Sequence, residues 1–445
     1  RSCRWYSRGD LMFETLKSVF RVKEMRRKLL YLLAMIFVIR IGSQLPIPGV
    51  DSSVFKQWFK SNTGDAFNFF DAFTGGSFES MSVFALNITP YITSSIIIQL
   101  LTIAIPALEE MHRDGEEGRK KMTAITRYVT VGLALFESIA MTVGFTRGNI
   151  VKDMNFLKGV VVIVSLTAGS AMLMWIGERI TEKGVGQGVS LIITVGIIAR
   201  LPLSLGQEFS NKFMGGGAGG MIMLLFEIVI WLAVIMFTLF LVRGVRKIPV
   251  QYAKAVASAG QGGRQIGVGK RQYIPMKVYT ANVMPIIFAQ AVMFLPGLIG
   301  GMFSESVKMA FNDMFGLWYN IVLAALIIAF TYLYTAIAVK TNDMADDLKR
   351  NGGFIPGVKP GAPTANLLDR ILSLLTLPGA LALAFIAILP TFAKLAGVEP
   401  SFAMFFGGTS LLIMVGVVID TIQQVNSYLL NRHYDGLMKT GKIKK

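Results

Sequence analysis

Ten separate apolar stretches dominate this chain, at about 29–45, 83–105, 124–145, 157–177, 186–203, 219–242, 279–303, 316–339, 371–393 and 402–422. A backbone in lipid must satisfy its own hydrogen bonds, and roughly 20 apolar residues in a helix rise far enough to cross the hydrocarbon. The pattern therefore predicts an all-α polytopic membrane protein with ten transmembrane helices. Of the 445 residues, 53% are apolar or aromatic and 16% are charged. Ordinary soluble chains have about 45–50% and about 25%. A soluble enzyme, a disordered chain and a disulfide scaffold are thereby excluded.

Charge sets the orientation. With the N-terminus in the cytoplasm, the cytoplasmic segments hold 30 Lys and Arg and the outer loops hold 9. Lys and Arg gather on the cytoplasmic side of membrane proteins, so both termini are expected there. The net charge of +17 then needs no nucleic acid to explain it. Residues 1–11 read as a vector-derived extension, because Met12 looks like a natural start, and no cleavable signal peptide follows.

The rare residues narrow the chemistry. Cys3 is the single cysteine, and His112 and His433 are the only histidines. Neither a thiolate metal site nor a catalytic triad is expected, and no cofactor, catalytic or metal residue is assigned. The glycine run at Gly184, Gly186 and Gly188 follows no strand, so it is not a phosphate loop. The run Gly263–Lys270 has one residue too many between its glycines, and Arg271 stands where Ser or Thr is needed. Direct nucleotide binding is not expected. Charges inside the windows are few, among them Arg40, Glu137, Glu227 and Asp420, isolated or near helix ends.

Three segments do not fit a plain bundle. Residues 66–78 carry Phe67, Phe69, Phe70 and Phe73 ahead of Gly75-Gly76. That stretch is too short to span and too aromatic for a free loop. Two readings stay open, a half-inserted helix on a glycine hinge and an interfacial amphipathic helix. The 243–278 loop holds eight cations and no acid. It is either an orienting loop near anionic headgroups or a docking site for an acidic or RNA-bearing partner. The 340–370 loop mixes Asp343, Asp346 and Asp347 with Lys349, Arg350 and Lys359, and its run Asn351–Gly361 reads as exposed turns.

Several motifs resemble the bacterial SecY family, the channel subunits of the general protein translocase. The run Ile39–Val50 is similar to the end of the family's first helix. Phe84–Leu100 is similar to its second helix, Gly177–Gly184 with the following Gly-Gln-Gly to the start of its fifth, and Phe406–Ile413 to its tenth. The similarity runs from about Met12 to the C-terminus.

The resemblance implies two inverted pseudo-symmetric halves around an hourglass pore, divided here as 12–210 and 211–422, with a cytoplasmic tail 423–445. It implies a plug at 66–78. It implies an aliphatic pore ring at Ile88, Ile92, Val189, Ile193, Ile287 and Ile413, positions that would ordinarily read as core or lipid packing. It implies a lateral gate between helices 2 and 3 and helices 7 and 8. Polar groups on those helices include Thr93, Ser94, Gln99, Asn282 and Gln290, each equally readable as an ordinary helix contact. Both large loops become docking sites, with Arg243, Arg246, Lys247, Arg264, Lys349, Arg350 and Lys359 as contacts. Lys359 departs from the arginine that relatives often carry there, and lysine lacks the planar fork.

The implied partners are SecE and SecG subunits, the SecA motor ATPase, the translating ribosome, signal peptides with their secretory precursors, and anionic lipids. The implied location is the bacterial cytoplasmic membrane. Two other functions fit a chain with many spans. A secondary transporter of small solutes would need a polar site at mid-membrane. A scaffold or insertase that never opens a pore would need no plug.

Overall fold

The computed structural model describes residues 22–48, 50, 55, 74–147, 155–215, 217–252, 272–278, 284–290, 292–293 and 313–441. Among them lie α1 (Lys23–Gly42), α2 (Thr89–Ala104), α3 (Pro106–Arg113), α4 (Gly115–Arg147), α5 (Phe156–Lys183), α6 (Gly188–Gly215) and α7 (Gly217–Arg243). After them come β1 (Val245–Tyr252), β2 (Gln272–Lys277), α8 (Leu317–Ala338), α9 (Thr341–Arg350), β3 (Gly353–Phe354), α10 (Ala362–Leu395), α11 (Pro400–Ala403) and α12 (Gly408–Gly441).

Seven stretches of the described residues are helices long and apolar enough to cross a membrane, in α4, α5, α6, α7, α8 with α9, α10 and α12. The first two apolar windows correspond to α1 and α2. The seventh window contributes the helical residues 284–290 and otherwise lies mostly outside the described residues.

The second window is not helical throughout. Pro90 sits in the first turn of α2 and Pro106 in the first turn of α3, where a missing N–H is harmless. The prolines bracket a helix of 16 residues. Its approach, residues 77–88, is a series of turns. Ile47 N–H donates to Met81 O at 3.0 Å, and Val83 N–H to Leu45 O at 3.0 Å. Non-helical backbone at this depth must be covered by protein. Ile47, Met81, Ala85 and Leu86 are indeed buried with Val162 and Leu166 of α5.

The chain divides into two compact units, Arg1–Ser204 with Val417–Lys445, and Leu205–Gly416. In the first, α2 packs on α4, α4 on α5 and α1 on α5. Glycine makes the α5 contacts close: a Cβ at Gly169 would lie 2.0 Å from Val83 O, and one at Gly188 would lie 1.9 Å from Gly177 O. The C-terminal helix is fastened to this unit as well. Tyr428 donates its hydroxyl proton to Glu24 at 2.7 Å, Lys28 lies over the Tyr428 ring, and Gly186 N–H donates to Gln424 Oε1 at 3.1 Å.

In the second unit α8 packs on α10, around Ile286, Leu323, Ile327, Leu383, Ile386 and Leu412. Glu227, isolated in the sequence, is paired: Lys212 Nζ lies 2.9 Å from its Oε1. The same ammonium donates to Gly397 O, and Glu208 accepts from Glu399 N–H at 2.9 Å. This polar cluster joins the end of α6 to α7 and to the turn before α11.

The two large loops differ from their sequence reading. Val245–Tyr252 and Gln272–Lys277 are antiparallel strands in the register Val245↔Lys277 to Val250↔Gln272. β3, from the other loop, pairs with β1 through Gln251↔Phe354 and Tyr252↔Gly353, giving the order β2-β1-β3. Residues 341–350, read as loop, are helix α9, with Ala345 and Leu348 buried. Ile248, Val250, Met276, Leu348, Ile355, Leu368 and Leu372 form one apolar cluster beneath the sheet. Burial of these scattered apolar residues overrides the turn-rich composition.

Candidate functional site

Two of the four ring candidates of the first unit, Ile88 and Val189, meet at one glycine. Ile88 precedes α2 as its N-cap residue and is 1% exposed. Gly177 lies on α5. A Cβ built there would sit 3.3 Å from Val189 Cγ2, 3.4 Å from Ile192 Cδ1 and 3.5 Å from Ile88 Cδ1. Ile88 and Val189 thus meet over a helix face with no side chain of its own. Ile92 and Ile193 follow four residues later, on the same faces of their helices. Ile193 is buried and Ile92 half-buried.

In the second unit Ile287 is half-buried beside Ile286, and Ile413 is buried beside Leu412. Ile286 and Leu412 belong to the unit's core, and the ring candidates occupy the adjacent positions.

Of the plug residues, Phe67, Phe69, Phe70 and Phe73 lie outside the described residues. Gly75 and Gly76 have φ of +67° and +89°, the left-handed region that glycine enters without penalty. A Cβ at Gly75 would meet Gly196 O of α6 at 2.9 Å and Arg40 Nη1 at 3.0 Å. The glycine pair is therefore packed against α6, not suspended as a free hinge. Arg200 pairs with Glu79 at 3.0 Å just beyond it.

The gate candidates separate. Ser94 is fully buried, and its hydroxyl engages Thr130 of α4 and the Tyr91 carbonyl, so it joins α2 to α4 within the first unit. Thr93 donates to Thr89 O at 3.1 Å inside its own helix. Gln99 is exposed and Gln290 half-buried, while Asn282 lies outside the described residues.

The docking candidates gather. Strand β1 alternates, with Ile248 and Val250 buried and Arg246, Lys247 and Pro249 exposed around them. Arg243 is exposed at the end of α7, and Lys349 and Arg350 are exposed in the last turn of α9, where cations favour the helix dipole. Lys359 is exposed, and its carbonyl accepts from Thr364 Oγ1 at 2.9 Å. Arg264 lies outside the described residues. The sheet and α9 thus carry four of the seven docking cations, Arg246, Lys247, Lys349 and Arg350, while Arg243 ends α7 and Lys359 lies between β3 and α10. Lys277, one of the loop's eight cations but not singled out as a contact from the sequence, is exposed and opposite Val245, where only the register places it.

A family model described as SecY matches residues 82–422 of the chain. A protein translocase subunit SecY of Vibrio cholerae is 37% identical over 439 residues, 95% of this chain and 96% of the relative. Its counterpart in Halalkalibacterium halodurans is 39% identical over 448 residues, 96% of this chain and all of the relative. Among solved structures, one titled "The structure of a protein conducting channel" aligns with a TM-score of 0.60 at 17% identity, covering 90% of this chain and 92% of that one. The Sec61 of a canine ribosome-channel complex aligns with a TM-score of 0.57 at 17% identity, again over 90% and 92%. At that identity these two share the fold.

Proposed function

Because the chain belongs to the SecY family, we propose that it is the protein-conducting subunit of a translocase, passing unfolded polypeptides across the membrane and releasing apolar segments sideways into lipid. The observation that carries this is identity of 37–39% to translocase subunits across 95–96% of the chain. It is a channel and not an enzyme, so the work is done by partners.

The pore waist in this proposal is Ile88, Ile92, Val189, Ile193, Ile287 and Ile413. Aliphatic side chains offer a moving polypeptide no fixed hydrogen bonds, so passage is indifferent to sequence, and a narrow apolar collar sheds water and with it ions. The meeting of Ile88 and Val189 over Gly177 supports this placement. The halves 12–210 and 211–422, the plug at 66–78 and the gate groups Thr93, Gln99, Asn282 and Gln290 belong to the same proposal. So do a bacterial cytoplasmic membrane, cytoplasmic termini, SecE- and SecG-type subunits, a SecA-type motor, the ribosome, signal peptides and anionic lipid. Family membership leaves the solute-transporter reading without support.

The test is a disulfide crosslink between Ile193→Cys and a cysteine in the middle of a stalled secretory precursor. A crosslink that requires both ATP and a functional signal sequence is expected. Translocation without that crosslink would displace the waist from Ile193.

Docking has its own expected result. Arg246→Glu with Lys247→Glu should weaken motor or ribosome binding by about tenfold or more at low salt, with the difference shrinking as salt screens the charges. Binding titrations at several ionic strengths measure it. An unchanged affinity at every ionic strength would reduce this strand to a topogenic role.

A further inference from the structure

Two arginines inside the membrane windows converge on the turn that leads into residues 77–88. Arg40, in the last turn of α1, donates through Nη1 to Gly75 O at 3.5 Å and through Nη2 to Val195 O of α6. One guanidinium fork thus bridges the turn and the α6 backbone, using only carbonyl acceptors. Arg200, also on α6, holds Glu79 at 3.0 Å, with the two side chains 25% and 29% exposed. A Cβ at Gly76 would lie 3.4 Å from Arg200 Nη2. Between the arginines the turn rests on bare backbone, since residue 196 is glycine. Arginines at membrane helix ends ordinarily extend toward the interface. Among the described residues Arg40 has no ion-pair partner, and it turns inward.

We propose that Arg40 and Arg200 are positioning residues that clamp the Gly75–Gly76 turn onto α6 and so set how readily the resting channel opens. This rests on reading that turn as the end of the plug.

The two contacts are unequal. The Arg200–Glu79 pair joins opposite charges at short range. The Arg40–Gly75 contact is a long bond to a neutral carbonyl, beside a cavity of about 10 Å³ lined in part by Arg40, Ser43, Thr74, Ser77 and Asn87. That space is enough for about one water, with polar partners to hold it. Water held there can satisfy the Gly75 carbonyl once Arg40 lets go, so release leaves no unpaired acceptor. The turn itself is braced from behind, by Phe78 N–H to Thr74 Oγ1 at 3.3 Å and Ser82 Oγ to Ser77 O at 3.1 Å. Arg40 is thus the releasable latch, and Arg200 with Glu79 is the fixed root.

The test is the opening frequency of the resting complex in planar lipid bilayers, without motor or precursor, at equal amounts of folded protein. Arg40→Met should raise it about tenfold, the weight of one charge-assisted hydrogen bond, and Arg40→Lys less. Arg200→Glu and Glu79→Arg should each raise it, and the double swap should bring it back toward the parent, which a merely structural loss would not do. Gly75→Val, which drives the turn off Gly196, separates the two ideas. If Gly75→Val leaves the resting conductance unchanged, the turn seals nothing and the plug reading falls. If Gly75→Val opens the channel while Arg40→Met and the single swaps do not, the clamp is overturned and the plug reading stands.

Discussion

Gly169→Val is expected to abolish accumulation of folded protein in the membrane. A Cβ at that position would sit 2.0 Å from the Val83 carbonyl oxygen, with the Val83 side chain 2.9 Å away. Both obstacles belong to the segment that carries Met81, Ala85 and Leu86 into the core over α5. Neither can rotate aside as the end of a flexible side chain would. Either α5 separates from residues 82–86 or the Ile47–Met81 and Leu45–Val83 backbone bonds break. Overpacking of this kind costs about 3 kcal/mol or more, a large part of the stability of most folds. The comparison is Gly132→Ala, where nothing lies within 4 Å of the added Cβ and the helix should gain slightly. Protease resistance and membrane-extracted yield of the two variants decide the matter. Equal yields would mean that the α5 contact is not as close as described.

The second large effect concerns the proposed waist. Replacing Ile88, Ile92 and Ile193 together by glycine is expected to let ions through the resting protein. Three aliphatic side chains are lost from the faces that meet over Gly177, and the collar becomes wider and easier to wet. A barrier lowered by only about 1.4 kcal/mol conducts tenfold more, so the change should be plain in single-channel recordings. No added conductance from correctly folded protein would place the constriction elsewhere. The triple variant should keep the proposed motor or ribosome binding, because none of the three residues lies on the sheet or α9.

Hydropathy made the spans legible because each long apolar run has one stable solution in lipid. It misjudged the second, since 83–105 is uncharged throughout yet the helix begins only at Thr89, with Pro90 in its first turn. The sheet was not legible. Its strand alternation covers only Lys247 to Val250, includes a proline, and pairs with residues about 25 and about 100 positions away, far beyond any local pattern. The ring was named by resemblance alone, since isoleucine in a spanning helix carries no mark of facing a pore. Arg40 was conspicuous as a charge within a window. Its acceptors are main-chain carbonyls, which every residue has, so nothing in the sequence could identify them. Ser94 and Thr130 illustrate the reverse, two ordinary polar residues whose pairing becomes visible only when α2 lies against α4.

Strand β1 begins two residues after the end of α7, and the apolar cluster beneath it includes Leu368 and Leu372 of α10. β3 ties the second segment to the same strand. A partner that grips this sheet therefore does not tug on a slack tether. Any load it applies is shared by two membrane spans at once, through the covalent chain at α7 and through packed side chains at α10. The sheet behaves as a stiff lever arm, and a push or twist delivered there arrives as torque on α7 and α10.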